Sequence, residues 1–245
     1  MKKLLFSLFA IIVMGNAFGQ TSDSIYIKKG GVMLYQEALS KIDSIYFLAD
    51  KNTVTDRQGN VYKTVTIGNQ TWMAENLRTT MYNDGTPITQ KAGAAFETFT
   101  AGTKLDSAYV FTSPTLPAYG YYYNWYAVTT GKLAPAGWHV PTQADWDVLI
   151  AYVKSQNSTN PGLDIKAKTG WTDGTTGTDK FGFNTVPAGF YFSSGKNGEL
   201  TSSYFQTTNS YSTTNNNLQY YHLTKVFDLY NRTKTRGFSV RCIKD

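Results

Sequence analysis

Two histidines, His139 and His222, and one cysteine, Cys242, are all that this sequence offers for imidazole or thiol chemistry. A lone cysteine forms no intrachain disulfide and no multi-cysteine metal site. Cys242 alternates with Phe238 and Val240 along a closing strand, opposite Ser239, Arg241 and Ile243, and reads as a small buried hydrophobe, not a nucleophile. His139 follows Trp138 at a helix entry, a position suited to a capping or core hydrogen bond before any general-base role. Glu75 lies so close to Trp72 and Leu77 that an internal ion pair or turn-stabilising bond is expected of it. Asp173, Asp179 and Asn184 faintly suggest an oxygen-ligand calcium loop, but their spacing is not that of an EF-hand and a Gly-rich turn is the better reading. No nucleophile elbow, zinc helix motif, phosphate loop or dinucleotide fingerprint occurs. The expectation is a protein that is not an enzyme, with no catalytic residues, no cofactor and no metal.

Binding has better material. Aromatic residues make up 15% of the chain against only 16% charged, a balance that suits a Tyr-rich extracellular β-type protein. Trp72, Trp125, Trp138 and Trp146 have aromatic faces that suit the C–H side of a sugar ring and would make a stacking platform. Trp171 differs, because Thr169-Gly170-Trp171-Thr172-Asp173-Gly174 is a loop without apolar periodicity. Rigid aromatics among adaptable amide and hydroxyl side chains make a recognition surface that freezes few rotors on contact. The expected ligand-binding residues are therefore Trp171, Asp173, Tyr191, Tyr204 and Tyr211, in the polar loops of residues 171–217, and not the motif tryptophans.

Several elements must position these residues. Lys2 and Lys3, an apolar run of about eleven residues, and Ala17 and Gly19 ahead of Gln20 have the layout of a secretory signal peptide over residues 1–19. The run is too short for a membrane span, which needs roughly twenty residues. No cysteine stands at the cut, so neither a lipid anchor nor a transmembrane helix is expected. Losing Lys2 and Lys3 takes the net charge from +6 to +4. Residues 225–245, with six basic and two acidic side chains, supply that excess. A solvated strand edge explains such a segment better than contact with nucleic acid, an anionic glycan or a charged surface.

Residues 24–47 read as a small β unit: Ile25 and Ile27, a Gly30-Gly31 turn, Val32 and Leu34, then Ile42, Ile45 and Phe47. Residues 20–55 form this unit and a linker, and residues 56–245 the main domain. Val61, Lys63, Val65 and Ile67 alternate, and Gly68-Asn69 turns the chain into Gln70-Thr71-Trp72-Met73. Residues 89–117 look like a surface excursion with short elements of its own. Thr142 and Asp145 make a capping box, and Trp146, Leu149, Ile150 and Val153 fall on one face of the helix that follows. Residues 201–217, thirteen of them Ser, Thr or Asn, read as a polar loop or exposed hairpin, with a Tyr-rich strand after them.

Taken together, five segments go beyond generic patterning. They are Gly68-Asn69-Gln70-Thr71-Trp72-Met73-Ala74-Glu75-Asn76-Leu77, Tyr82-Asn83-Asp84-Gly85-Thr86-Pro87-Ile88, Tyr119-Gly120-Tyr121-Tyr122-Tyr123-Asn124-Trp125-Tyr126-Ala127, Leu133-Ala134-Pro135-Ala136-Gly137-Trp138-His139-Val140-Pro141-Thr142, and Gly237-Phe238-Ser239-Val240-Arg241-Cys242. In this order and spacing residues 56–245 closely resemble the Fibrobacter succinogenes major paralogous domain, a bacterial secreted or surface module. That module in turn looks like the C-type-lectin-like and sulfatase-modifying-factor architecture. The resemblance implies an α+β, C-type-lectin-like fold of antiparallel strands with about two helices, beside the N-terminal β unit. It also implies that Trp72, Trp125, Trp138 and Trp146 are core, with their indole N–H groups bonded inside. Where the family shows a Trp-rich Ser-Ser-Thr strand, this chain reads Tyr204-Phe205-Gln206-Thr207-Thr208. The sugar-binding Glu-Pro-Asn and Trp-Asn-Asp signatures of C-type lectins are absent, and one cysteine cannot supply the pair that the related oxidases use.

The expected function is non-catalytic binding outside the cell or at its surface, to a glycan or a protein partner and not to nucleic acid. The rivals are a structural surface-assembly component and an enzyme acting on polysaccharide or sulfated substrate. A carboxylate pair in a shared cleft favours the enzyme; an open edge strand near the N-terminus favours assembly.

Overall fold

The computed structural model describes residues 52–91, 109–111, 119–192, 195–210, 217–223 and 227–245, together with five strands between residues 2 and 48. The chain divides into two units, Met1–Thr53 and Val54–Asp245. In the first, Ser24–Lys29 pairs antiparallel with Val32–Ala38, as the Gly30-Gly31 spacing suggests, and a third strand is Ile42–Leu48. The stretch expected as a leader contains the strands Lys2–Ser7, paired in parallel with Ile42–Leu48, and Ile11–Met14.

The second unit is α+β, with three helices among the described residues where about two are expected. A five-stranded sheet runs in the spatial order Trp138–His139, Ile243–Lys244, Gln70–Met73, Val61–Ile67, Thr53–Thr55. The Gly68-Asn69 turn joins Val61–Ile67 to Gln70–Met73 as expected, and the register sets Val65 opposite Trp72. Gly68 has φ +64°, and a Cβ there would lie 2.8 Å from the Tyr152 ring, so the turn and the helix packed on it both call for glycine. Val61 does not face inward as its alternation suggests. It is 46% exposed, and Tyr62 is buried in its place because its hydroxyl donates to Asp56 Oδ2 at 2.6 Å.

Helix Gln143–Ser155 begins at Thr142, whose Oγ1 accepts from Asp145 N while Asp145 Oδ2 accepts from Thr142 N, closing the capping box. Its buried residues Trp146, Leu149 and Val153 pack with Trp72, Phe183 and Phe205. A second core gathers Met73, Leu77, Tyr123, Val240 and Cys242. Helix Trp125–Val128 is capped by Asn124 Oδ1, and helix Pro161–Ile165 by Asn160 with proline in its first turn. No helix among the described residues is long and apolar enough to cross a membrane.

Two expectations about polarity are corrected. Residues 203–210 form the first strand of a hairpin with Asn217–Leu223, one of the two forms expected, but it is not exposed: Ser203, Phe205, Gln206 and Thr207 are all buried in it. Its backbone groups are satisfied by the antiparallel strand Asn217–Leu223 and by Ser239, so polar side chains enter the interior on a bonded backbone. The closing segment, in turn, has no solvent face. Ser239 and Arg241 are as buried as Phe238, Val240 and Cys242.

Arg241, 1% exposed, donates from Nε to Asn76 Oδ1 at 2.8 Å, from Nη1 to Phe183 O and from Nη2 to Asn184 O at 2.9 Å. Burial pulls its pKa down to about 9, against the attraction of Asp179 and Glu75, so it remains cationic at neutral pH. Lys234 is buried too, so the basic C-terminal segment is not a uniformly solvated edge.

Candidate functional site

The loop expected to bind ligand is already occupied by a lysine. Lys166 lies at the end of helix Pro161–Ile165 with its side chain wholly buried. Its ammonium sits 2.7 Å from Asp173 Oδ2, 3.8 Å from the Trp171 ring centroid and beside Thr175 Oγ1. Asp173 also accepts from Thr175 N at 3.1 Å. Although burial opposes it, these bonds from Lys166 and Thr175 hold the carboxyl below its ordinary value. Trp171 and Asp173 are thus brought together, but as the lid and counter-ion of Lys166.

The other expected residues lie elsewhere. Tyr191 is 5% exposed and packs against Tyr122 at 6.2 Å between ring centroids. Tyr204 is half-buried against Phe190 at 4.8 Å and Phe238 at 5.8 Å. Tyr211 lies outside the described residues. Trp171, Tyr191 and Tyr204 pack in three separate apolar clusters, and Asp173 joins Trp171 through Lys166.

Trp171→Ala is accordingly expected to destabilise the domain. Removing a desolvated cation–π partner and its buried area costs about 2 kcal/mol. A thermal midpoint several degrees below the parent checks this; an unchanged midpoint shows that Trp171 covers nothing.

A cleft of about 370 Å³ opens on the other side of helix Gln143–Ser155's entry, lined by Val128, Thr129, Gly131, Leu133, Ala134, Trp138, His139, Val140 and Thr208. Its construction follows from the chain's last strand. Ile243–Lys244 inserts between Trp138–His139 and Gln70–Met73, with Trp138 opposite Lys244 and His139 opposite Ile243. Asp245 N then donates to Gly137 O at 3.1 Å, which brings the Asp245 carboxylate to His139, one of the lining residues.

There His139 Nδ1 donates to Asp245 Oδ1 at 2.7 Å, and Nε2 lies 3.4 Å from Asp145 Oδ2. The imidazole is 41% exposed. Asp145 is committed to the helix cap, since its Oδ2 also accepts from Thr142 Oγ1 at 2.6 Å. Valine, leucine and alanine side chains supply the apolar part of the lining, and the half-buried Trp138 and Thr208 line the cleft with them.

Trp138 was expected in the core, and Trp125 likewise; both are half-buried, while Trp72 and Trp146 are wholly buried. The signal that was available is position: Trp138 and His139 sit on an edge strand of two residues, which leaves one side of each uncovered. Nothing local marks Thr208 or Asp245 as their neighbours. Glu75 makes the expected internal ion pair, 3.0 Å from Arg78 Nη1.

The Fibrobacter succinogenes major domain is the family whose model matches the chain, over residues 65–244. No curated protein and no solved structure matches it.

Proposed function

We propose that this chain, which belongs to the Fibrobacter succinogenes major domain family, is a non-catalytic module that binds carbohydrate in the Trp138–His139 cleft, outside the cell or at its surface. One observation carries the reading: a half-buried indole beside a bonded His–Asp pair, among apolar side chains, in a cleft of about 370 Å³. An aromatic face suits the C–H side of a sugar ring, and a fixed imidazole and carboxylate suit its hydroxyls. The Lys2-Lys3 start and the apolar run after it support export through a signal peptide cleaved ahead of Gln20. The Trp138-to-Trp146 stretch entering a helix, and the terminal strand packed beside Trp72, support the C-type-lectin-like arrangement.

A glycan-array screen of the exported protein, with and without calcium, identifies the sugar. Trp138→Ala then weakens its binding at least about tenfold, or 1.4 kcal/mol, in a variant whose circular dichroism remains that of the folded parent. Binding that survives this substitution in a folded protein places the site elsewhere.

A second reading rests on the same wall. Asp145 and Asp245 both reach His139, and a carboxylate pair at one cleft is the feature that favours an enzyme acting on polysaccharide. Release of reducing ends by the parent protein and not by His139→Asn supports it; binding without turnover rejects it.

A further inference from the structure

We infer that Lys234 and Trp125 form an anion subsite, and that the carbohydrate this module binds is acidic, carrying a carboxylate or a sulfate ester. The inference rests on the carbohydrate reading and names the class of sugar. Lys234 is only 9% exposed. Its ammonium stands 3.7 Å from the Trp125 ring centroid, and its carbonyl accepts from Trp125 N at 3.1 Å, which fixes the two residues together. No carboxylate among the described residues pairs with that ammonium. The Trp125 indole N–H is buried and has no acceptor either. Two donors at one place therefore lack what buried donors require.

The comparison within this chain is direct. Lys166 stands over Trp171 at 3.8 Å in the same way, but there Asp173 supplies the anion at 2.7 Å. At Lys234 the cation and the indole are present, and no described residue supplies the carboxylate. Arg236, two residues on, adds a second cation, its guanidinium 5.3 Å from the Phe190 ring centroid. Phe190, Tyr204 and Trp125 are half-buried around Phe238 and offer apolar ring surface beside the charge. Aromatic faces next to a desolvated cation match a sugar ring carrying an acidic group better than a bare ion. The subsite also lies near the cleft. Trp125 begins the helix whose end, Val128, lines the cleft, and Tyr204 stands four residues before Thr208 on one strand, about 13 Å away. One oligosaccharide can reach both.

Calorimetric titration with trigalacturonate, a sulfated galactan trisaccharide, neutral cellotriose and hexa-aspartate tests this. At least one acidic trisaccharide is expected to bind at least about tenfold tighter than cellotriose, and which of the two does so identifies the acidic group. That preference should shrink as salt is raised, as a charge contact at a partly open site does, a result that needs no variant. Lys234→Gln should erase it, while Lys234→Arg and Lys244→Gln, at an exposed lysine, keep it. Equal binding of acidic and neutral sugars, or a preference that survives Lys234→Gln, overturns the subsite and leaves the carbohydrate reading standing. Hexa-aspartate binding as tightly as the acidic sugars overturns the choice of a saccharide. Failure of every saccharide to bind removes the carbohydrate reading and the subsite with it.

Discussion

Trp146→Ala is expected to cost about 3–5 kcal/mol, the range for truncating a large aromatic in a packed interior. Trp146 is wholly buried, with ring centroids of Trp72 at 4.7 Å, Phe205 at 5.2 Å and Phe183 at 5.9 Å around it. These partners come from a hairpin, a loop and the Ser203–Ser210 strand, so no single element can relax into the space. The indole also sits on the first turn of the capped helix, where it fixes how Gln143–Ser155 lies against the sheet. Chemical denaturation of the variant checks the magnitude. A loss below about 1 kcal/mol, the scale of an exposed substitution, shows that the three surrounding rings do not close over Trp146 as a unit.

That helix is the part of the fold most legible in the sequence, and the reason is physical. Thr142, Asp145 and the 146, 149, 153 face are local signals, decided within about three turns of chain. The Gly68-Asn69 hairpin is local in the same sense. What the sequence conceals depends on partners far along the chain. Alternation reads Arg241 as outward, yet the segment around it is buried on both faces, and Asn76, which accepts from its Nε, stands 165 residues earlier. The Ser- and Thr-rich strand reads as solvated, yet Phe205 draws it into the core and its neighbouring strands satisfy the backbone.

The candidate site was legible only in part for the same reason. Residue types picked out Trp171 and Asp173 as neighbours, but Lys166, which turns them into a covered ion pair, carries no mark of burial in its own segment. The cleft joins Trp138 and His139 to Thr208, and His139 bonds to Asp245, residues that meet only after the terminal strand has inserted.

The interior also sets how the domain responds to alkali. Tyr62, Tyr122 and Tyr123 are fully buried or nearly so, and each donates its hydroxyl: to Asp56 at 2.6 Å, to Ala188 O at 2.5 Å and to Thr79 O at 2.7 Å. Burial, reinforced at Tyr62 by Asp56 and at Tyr122 by Glu199, pushes all three far above the ordinary 10.0, and burial does the same to Cys242 from 9.0. In the unfolded chain these groups lose their protons near their ordinary values; in the folded chain they keep them. The native state then binds more protons, so stability falls as pH rises, by about 1.4 kcal/mol per group and pH unit.

Arg241 acts the opposite way. Its folded pKa of about 9 lies below the unfolded 12.5, so between those values the unfolded state binds the extra proton and stability rises. From 9 to 10 Arg241 and Cys242 offset each other. Above 10 the three tyrosines are unopposed, and stability is expected to fall by about 4 kcal/mol per pH unit, enough to exhaust an ordinary 5–15 kcal/mol within a few units. Tyrosinate absorbance and circular dichroism followed together check this: these three phenols should ionise only as the fold is lost, in one cooperative step. Tyr123→Phe should make the fall shallower by about a third, since one of three protons is removed from the balance. Gradual ionisation of all the tyrosines near pH 10 with the dichroism intact would mean that water reaches these hydroxyls in the folded domain.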